Sequence, residues 1–362
     1  MLFTHYRLDY LERFPQLPGV KKFCAYSKIY PWAIPVDRTG TITFPVRTKC
    51  LFTLPKMRTF TKTYEEVCNA RARELLKQAE KLDVPLYTFW SGGVDSTCVL
   101  VSFLKQATSA QKQRIVVLLS EDSITEYPLF YREHIRGKLP CRSAMLFPYI
   151  LGTEVLLVNG EHNDQLFGSD VTAEAINRFG DAIIADTYNA DLFQTFFDQK
   201  LGGDAETAAF YVELFERVKE KAPIPIKKNY DMLWWLNFAL KWQTVHMRMI
   251  SFVANRNRHK LSPKYLKDYY APFYGTEEFQ IWSMNNLDMR IKASGWRSYK
   301  WTAKEVIYNF TKDMDYLNTK IKRGSLKHLL VQHRQFNFVD DRFKFHEALG
   351  PDDFYQEQND FV

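Results

Sequence analysis

Apolar residues recur along this chain with changing period, and the changes divide it into regions. Over residues 1–60 they fall in short runs broken by turn residues. Asp37-Arg38-Thr39-Gly40 separates the run 33–36 from the alternating Thr41-Ile42-Thr43-Phe44, and 49–54 is a further run, so strands and turns are predicted here. At Thr63 the period lengthens. Thr63 with Glu66 three residues on forms a capping box, and Val67, Ala70, Leu75 and Ala79 follow at roughly helical spacing.

The period then shortens again. Residues 86–90 read as a strand, followed by a glycine turn and a helix carrying Val99, Leu100, Phe103 and Leu104. A continuous apolar run at 114–119 is the next strand, and 155–158 another, ending in Asn159-Gly160-Glu161. Strand, helix and uninterrupted apolar strand make a βαβ unit, which implies an α/β fold with a parallel, doubly wound sheet. From about residue 190 strand signals fade, and the runs 192–197, 210–218 and 230–254 are helical and rich in aromatics. The expected organisation is a small β-rich region over 1–62, a sheet domain over 63–190, a helical region over 191–345 and a tail over 346–362.

Composition narrows the class. Of 362 residues, 46% are hydrophobic, 25% charged and 15% aromatic, a globular balance that excludes disorder. Met232-Leu233-Trp234-Trp235-Leu236 soon meets Asn237 and Lys241, short of the about 20 apolar residues a membrane helix needs. No secretory leader is expected at Met1-Leu2-Phe3-Thr4-His5, and the five cysteines show no CxxC spacing, so neither a disulfide framework nor a zinc knuckle is predicted. A reducing cytoplasm fits. The net charge of +7 admits an anionic partner, but a nucleic acid requires a clustered face; the best candidate is Lys320, Lys322, Arg323, Lys327 and His328.

The turn after the first strand carries the strongest chemical signal. Ser91-Gly92-Gly93-Val94-Asp95-Ser96 lies between a strand and a helix, where α/β sheets bind ligands. Gly92 and Gly93 let backbone N–H groups approach a phosphate, and Ser91 and Ser96 add hydroxyls. Asp95 would repel a phosphate; it makes sense as a magnesium ligand bridging to phosphate oxygens. The chain has no GxxxxGK(S/T), so this is not a Walker loop.

At these residues the sequence resembles the PP-loop, or N-type, ATP pyrophosphatase superfamily, which carries SGGxDS on an adenine nucleotide alpha hydrolase-like sheet and splits ATP to AMP and pyrophosphate. The segment from Gly160 to Gly168, Gly-Glu-His-Asn-Asp-Gln-Leu-Phe-Gly, is similar to the GEGSDE-x-F-G of asparagine and β-lactam synthetases, departing from it at His162, Asn163 and Gln165. The resemblance implies that Asp164 is a second magnesium ligand and that Glu161 positions or deprotonates the attacking amine. Tyr299-Lys300-Trp301-Thr302-Ala303-Lys304-Glu305 resembles the family's TKxxLRE, and Lys322-Arg323-Gly324-Ser325 stands where it has KKGF. Lys300 and Lys322 are thereby implied as cations facing phosphates and the developing oxyanion. Backbone groups near Ser120 are implied to hold the adenine edge.

The implied activity is an ATP- and magnesium-dependent ligase that adenylates a carboxylate and passes it to an amine or ammonia. The glutaminase domain that opens asparagine synthetases is not expected: the first cysteine is Cys24, and about 60 residues cannot hold that domain. Two other readings stay open. One is a PP-loop enzyme that attaches an amine to a base of tRNA or DNA; the other is a non-catalytic ATP-binding relative, whose hallmark would be loss of Asp95 or Asp164.

Overall fold

The computed structural model describes residues 8–31, 34–292, 295–321, 337–338, 345–346 and 349–362. The chain divides into two compact units that interleave in sequence: Arg58–Asn163 with Phe252–His333, and Met1–Met57 with Asp164–Ser251 and Arg334–Val362. The first is called the sheet unit here and the second the helical unit.

The sheet unit is α/β, built on five strands that all run parallel: β1 (Leu86–Phe89), β2 (Ile115–Leu119), β3 (Cys141–Ser143), β4 (Leu156–Asn159) and β5 (Tyr270–Pro272). Their order is β3-β2-β1-β4-β5. The chain steps outward from β1 to β2 and β3, then returns to the other side of β1 for β4. The strand order therefore reverses between β1 and β4, and the loops leaving their carboxyl ends diverge and open a crevice. β1, β2 and β4 are almost wholly buried, as expected of parallel strands covered on both faces.

Helix α1 (Tyr64–Lys81) starts at the capping box foreseen: Thr63 and Glu66 each hold the other's backbone N–H. It packs on α2 (Val94–Gln106), and both meet α5 (Trp301–Thr311), while α4 (Glu277–Asn285) lies along α1. Between β2 and β3 runs the short α3 (Glu121–Glu126), and α6 (Met314–Thr319) follows α5. α2 is buried on nearly every side because it carries Val94, Cys98, Val99, Leu100, Val101 and Phe103 all round its axis.

The helical unit pairs Ala190–Leu201 with Ala205–Lys219 through Gly202 and Gly203, and its centre is the fully buried helix Asn229–Leu240. Here the predicted β-rich region is corrected. Among the described residues of 8–62, short helices (Val20–Cys24, Tyr26–Ile29) and extended loops form, and no sheet strand does. Val36 and Arg38 donate their N–H groups to the carbonyls of Leu240 and Ala239, freed at the end of a helix, while Asp37 gathers the N–H groups of Thr39, Thr41 and Ile42. Extended backbone is satisfied there without a neighbouring strand. The tail is corrected too. Phe354 and Phe361 are buried, the N–H groups of Arg47, Gln356 and Asp360 pair the tail with 43–47, and Phe361 packs on Phe23 and Phe44.

The sheet also departs from expectation. β3 lacks an apolar run, and β5 lies within the stretch read as a helical region, so 252–321 belongs with the sheet.

Gly168 in the helical unit has φ of +63°, and a Cβ there would lie 2.6 Å from the Cβ of buried Trp234. Gly168→Ala should lower unfolding free energy by about 2–4 kcal/mol through combined backbone strain and overpacking. Urea denaturation checks this; an unchanged midpoint would contradict the close contact.

Candidate functional site

β1 ends in Trp90, fully buried, whose N–H continues the ladder to Leu118 and whose indole donates to Thr97 Oγ1 at 3.1 Å. This anchors the loop entering α2. Within the loop the two serine hydroxyls meet at 2.9 Å, Ser96 Oγ accepts the N–H of Ser91, and Ser91 Oγ accepts that of Gly93 at 3.2 Å. Gly92 has φ of +74°, and a Cβ on it would lie 2.7 Å from Ser123 O and 2.9 Å from Glu126 Cβ. Only glycine fits. Gly93 is the N-cap of α2 and has no side chain to cap it, so Val94 and Asp95 open a helix without side-chain capping. A helix start of this kind, beside two hydroxyls, favours an anion.

The loop after β4 closes on the same place. A Cβ on Gly160 would touch Asp95 and Ser96 N at 3.4 Å. His162 has φ of +79°, a left-handed conformation that favours glycine. Asn163 donates to Asp95 Oδ1 at 2.6 Å and accepts from Tyr64 at 2.8 Å, while Tyr274 donates to the Asp95 carbonyl at 2.9 Å. Lys300, 2% exposed, sets its Nζ 2.7 Å from both carboxylate oxygens of Asp95. Two of the residues singled out in sequence, Asp95 and Lys300, thus meet directly.

Further cations gather behind them. Lys320 pairs with Glu126, and both side chains are nearly inaccessible. Lys304, fully buried, donates to the carbonyls of Arg297 and Lys320 at 2.8 Å each. Two of these ammonium groups, Lys300 and Lys320, thus pair with carboxylates, and Lys304 is held by carbonyls. Burial first, then the charges of Lys320 and Lys300, lowers the Lys304 pKa to about 8. The excess of positive charge suits an anionic ligand. Sequence reasoning missed Glu126, Asn163, Lys304 and Tyr316 as parts of this site. Lys304 and Asn163 fall within segments that resemble the family's motifs, and nothing in the spacing of Glu126 or Tyr316 signals proximity.

The remaining candidates lie as follows. Ser120 caps α3: its N–H donates to Ser123 Oγ, its Oγ accepts the N–H of Ser123, and its carbonyl accepts that of Ile124. Its polar groups serve the helix start. Glu161 is half-buried in the β4 loop, its N–H donating to Asn159 Oδ1 at 3.0 Å. Asp164 is the first residue of the helical unit, and its carboxylate accepts from Ser169 Oγ at 2.5 Å. Among the described residues no group of three or more His, Cys, Asp or Glu side chains forms a ligand set. A magnesium ion here would rely on single carboxylates, water and phosphate oxygens, as magnesium commonly does. Lys322 lies outside the described residues, as do Arg323, Lys327 and His328 of the expected basic cluster. Lys320, its one described member, is buried and paired.

No family model matches the chain, and no curated protein is detectably similar to it. No helix among the described residues is long and apolar enough to cross a membrane.

The depressed Lys304 pKa fixes a sign. Between about pH 8 and the ordinary 10.5 the unfolded chain binds this proton more tightly than the native chain. Stability attributable to Lys304 therefore rises with pH across that window and is flat below it. Relative to Lys304→Met, the wild type should gain up to about 3 kcal/mol between those limits. Paired urea titrations at several pH values test this, and a constant difference would refute it.

Proposed function

We propose that this protein is an ATP pyrophosphatase-type ligase of the PP-loop kind, acting on a small-molecule carboxylate and an amine. The observation that carries the reading is the Ser91–Ser96 loop, which sits at the carboxyl end of β1 where the strand order reverses, beside a buried lysine. The order β3-β2-β1-β4-β5 supports a doubly wound, adenine nucleotide alpha hydrolase-like sheet. The left-handed backbone at His162 supports the second motif, since the motif has glycine at that position.

In this reading the loop N–H groups and serine hydroxyls bind phosphate oxygens, and Lys300 swings from Asp95 toward them. Magnesium would be held by Asp95, and by Asp164 as the resemblance implies, and would neutralise phosphate charge. A carboxylate oxygen of the substrate bonds to the α-phosphorus, the bond to pyrophosphate breaks, and an acyl adenylate remains. An amine nitrogen then bonds to the acyl carbon, AMP leaves, and Glu161 takes the amine proton. Positioning and charge stabilisation supply most of the rate. Lys322 is assigned the oxyanion by resemblance alone.

One observation favours a second reading, a base-modifying enzyme. Arg256, His259, Lys260, Lys264 and Lys267 are all exposed within twelve residues, and Arg256 lies 4.9 Å over the half-exposed Tyr149 ring. Such basic and aromatic interleaving suits a nucleic-acid strand, although Asp268 offsets Lys264 at 3.3 Å.

Turnover with carboxylate and amine libraries should release AMP and pyrophosphate in equal amounts. ADP with orthophosphate as the stoichiometric products would sink the proposal. Labelled RNA and DNA oligonucleotides should bind weakly and without effect on turnover; tight binding lost in Arg256→Glu/Lys260→Glu would favour the base-modifying reading.

A further inference from the structure

The carbonyl of Gly92, inside the loop, has a partner from outside it. Tyr316 on α6 donates its hydroxyl to that carbonyl at 3.0 Å, in a buried setting. A peptide unit is planar and trans, so its carbonyl and the following N–H point in opposite directions. Holding the Gly92 oxygen toward α6 therefore turns the Gly93 N–H to the opposite side, where Ser91 Oγ lies 3.2 Å away. Without such a hold this peptide would turn easily, because it joins two glycines and neither carries a Cβ to resist.

Tyr316 is itself held by Tyr127 and Asp313. Its ring stacks on Tyr127 with centroids 4.0 Å apart and planes 19° apart. Tyr127 donates to Asp313 Oδ2 at 3.0 Å, and Asp313 Oδ1 caps α6 by accepting the N–H of Tyr316 at 2.9 Å. Beyond α6, Lys320 pairs with Glu126, whose Cβ would crowd any side chain at position 92. The ring Tyr127–Asp313–Tyr316 and the pair Lys320–Glu126 thus grip both sides of Gly92. Burial above all pushes the Tyr316 hydroxyl well above the usual tyrosine range, so it stays a donor.

We propose that Tyr316 is a positioning residue that keeps the Gly93 N–H on the side of the Ser91 and Ser96 hydroxyls, where it would pass from Ser91 Oγ to the phosphates of a bound nucleotide. This rests on the reading of Ser91–Ser96 as a phosphate loop, and it adds a residue that no part of the sequence resemblance implies. Tyr316 touches neither phosphate nor reacting atoms; it acts through one peptide.

The test measures dissociation constants of ATP and of adenosine for the wild type, Tyr316→Phe and Tyr127→Phe by calorimetry. Tyr316→Phe keeps the ring and removes only the hydroxyl. It should weaken ATP about five- to tenfold, the worth of one hydrogen bond, and leave adenosine unchanged. Tyr127→Phe keeps the Tyr316 hydroxyl and should weaken ATP less. Unchanged ATP affinity in Tyr316→Phe would overturn the proposal, and so would equal losses for ATP and adenosine, which would mark a structural role. Wild-type protein that binds neither would instead remove the phosphate-loop reading, and the proposal with it.

Discussion

The ion pair between Asp95 and Lys300 ties the sheet unit together at its chemical centre. The two residues are 205 positions apart in sequence, yet the ammonium sits 2.7 Å from both carboxylate oxygens. Taking charges out of water is costly unless each finds its partner, and removing one partner of a buried pair typically costs about 3–5 kcal/mol. Asp95 keeps 27% of its side chain exposed against 2% for Lys300, so its own loss belongs at or below the lower end of that range. The asymmetry matters more than the magnitude. Lys300 has no access to water and depends on the loop for its counter-charge, whereas Asp95 keeps an open side from which an incoming cation could compete. Asp95 also stands in the first turn of α2, where the helix dipole favours a negative charge. The start of α5 is therefore held to the loop by electrostatics as well as by the packing of α5 on α2.

The parts of the fold legible in sequence were those in which one short stretch decides its own structure. The capping box at Thr63, the apolar strands β1, β2 and β4 and the glycine turn after β1 carry their signals locally. What sequence could not reveal depends on partners far along the chain. β3 is three exposed residues, Cys141-Arg142-Ser143, and β5 is Tyr270-Ala271-Pro272; both are strands only because β2 and β4 offer them an edge. The run at 41–44 alternates like a strand but finds buried Asp37 and the chain's own tail as partners, and 49–54 meets the side chains of Gln243 and Arg38. Alternation reports one buried face, not what covers it. The tail failed for a related reason: Asp352, Asp353 and Glu357 are exposed while Phe354 and Phe361 go inward, and composition averages the two.

Charge shows the same limit more sharply. A net +7 suggested a basic surface, and the richest basic stretch in sequence began at Lys320. In the structure Lys300, Lys304 and Lys320 are among the most buried polar residues, while exposed cations gather at 256–267. A lysine's long apolar stem lets it enter a core if its head finds acceptors. Lys304 finds two carbonyls and Lys320 a carboxylate. Counting charges could not separate these from solvated ones; that required the loop's own acids and carbonyls to be placed.

Backbone strain is concentrated at the same centre. Five non-glycine residues among those described take positive φ, and two of them, His162 and Lys300, flank Asp95 from opposite loops. Such conformations cost on the order of 1–3 kcal/mol each and persist where surroundings over-determine them. At Lys300 the left-handed turn starts α5 and aims the side chain at Asp95, so the strain is offset by the ion pair it permits. At His162 the left-handed turn lies between Gly160, which packs on Asp95, and Asn163, which bonds to it. A glycine would hold either turn with less strain but would remain mobile when the loop is empty. With His162 and Lys300 in these positions, both loops meet Asp95 through side chains held by the backbone, Asn163 from one and Lys300 from the other.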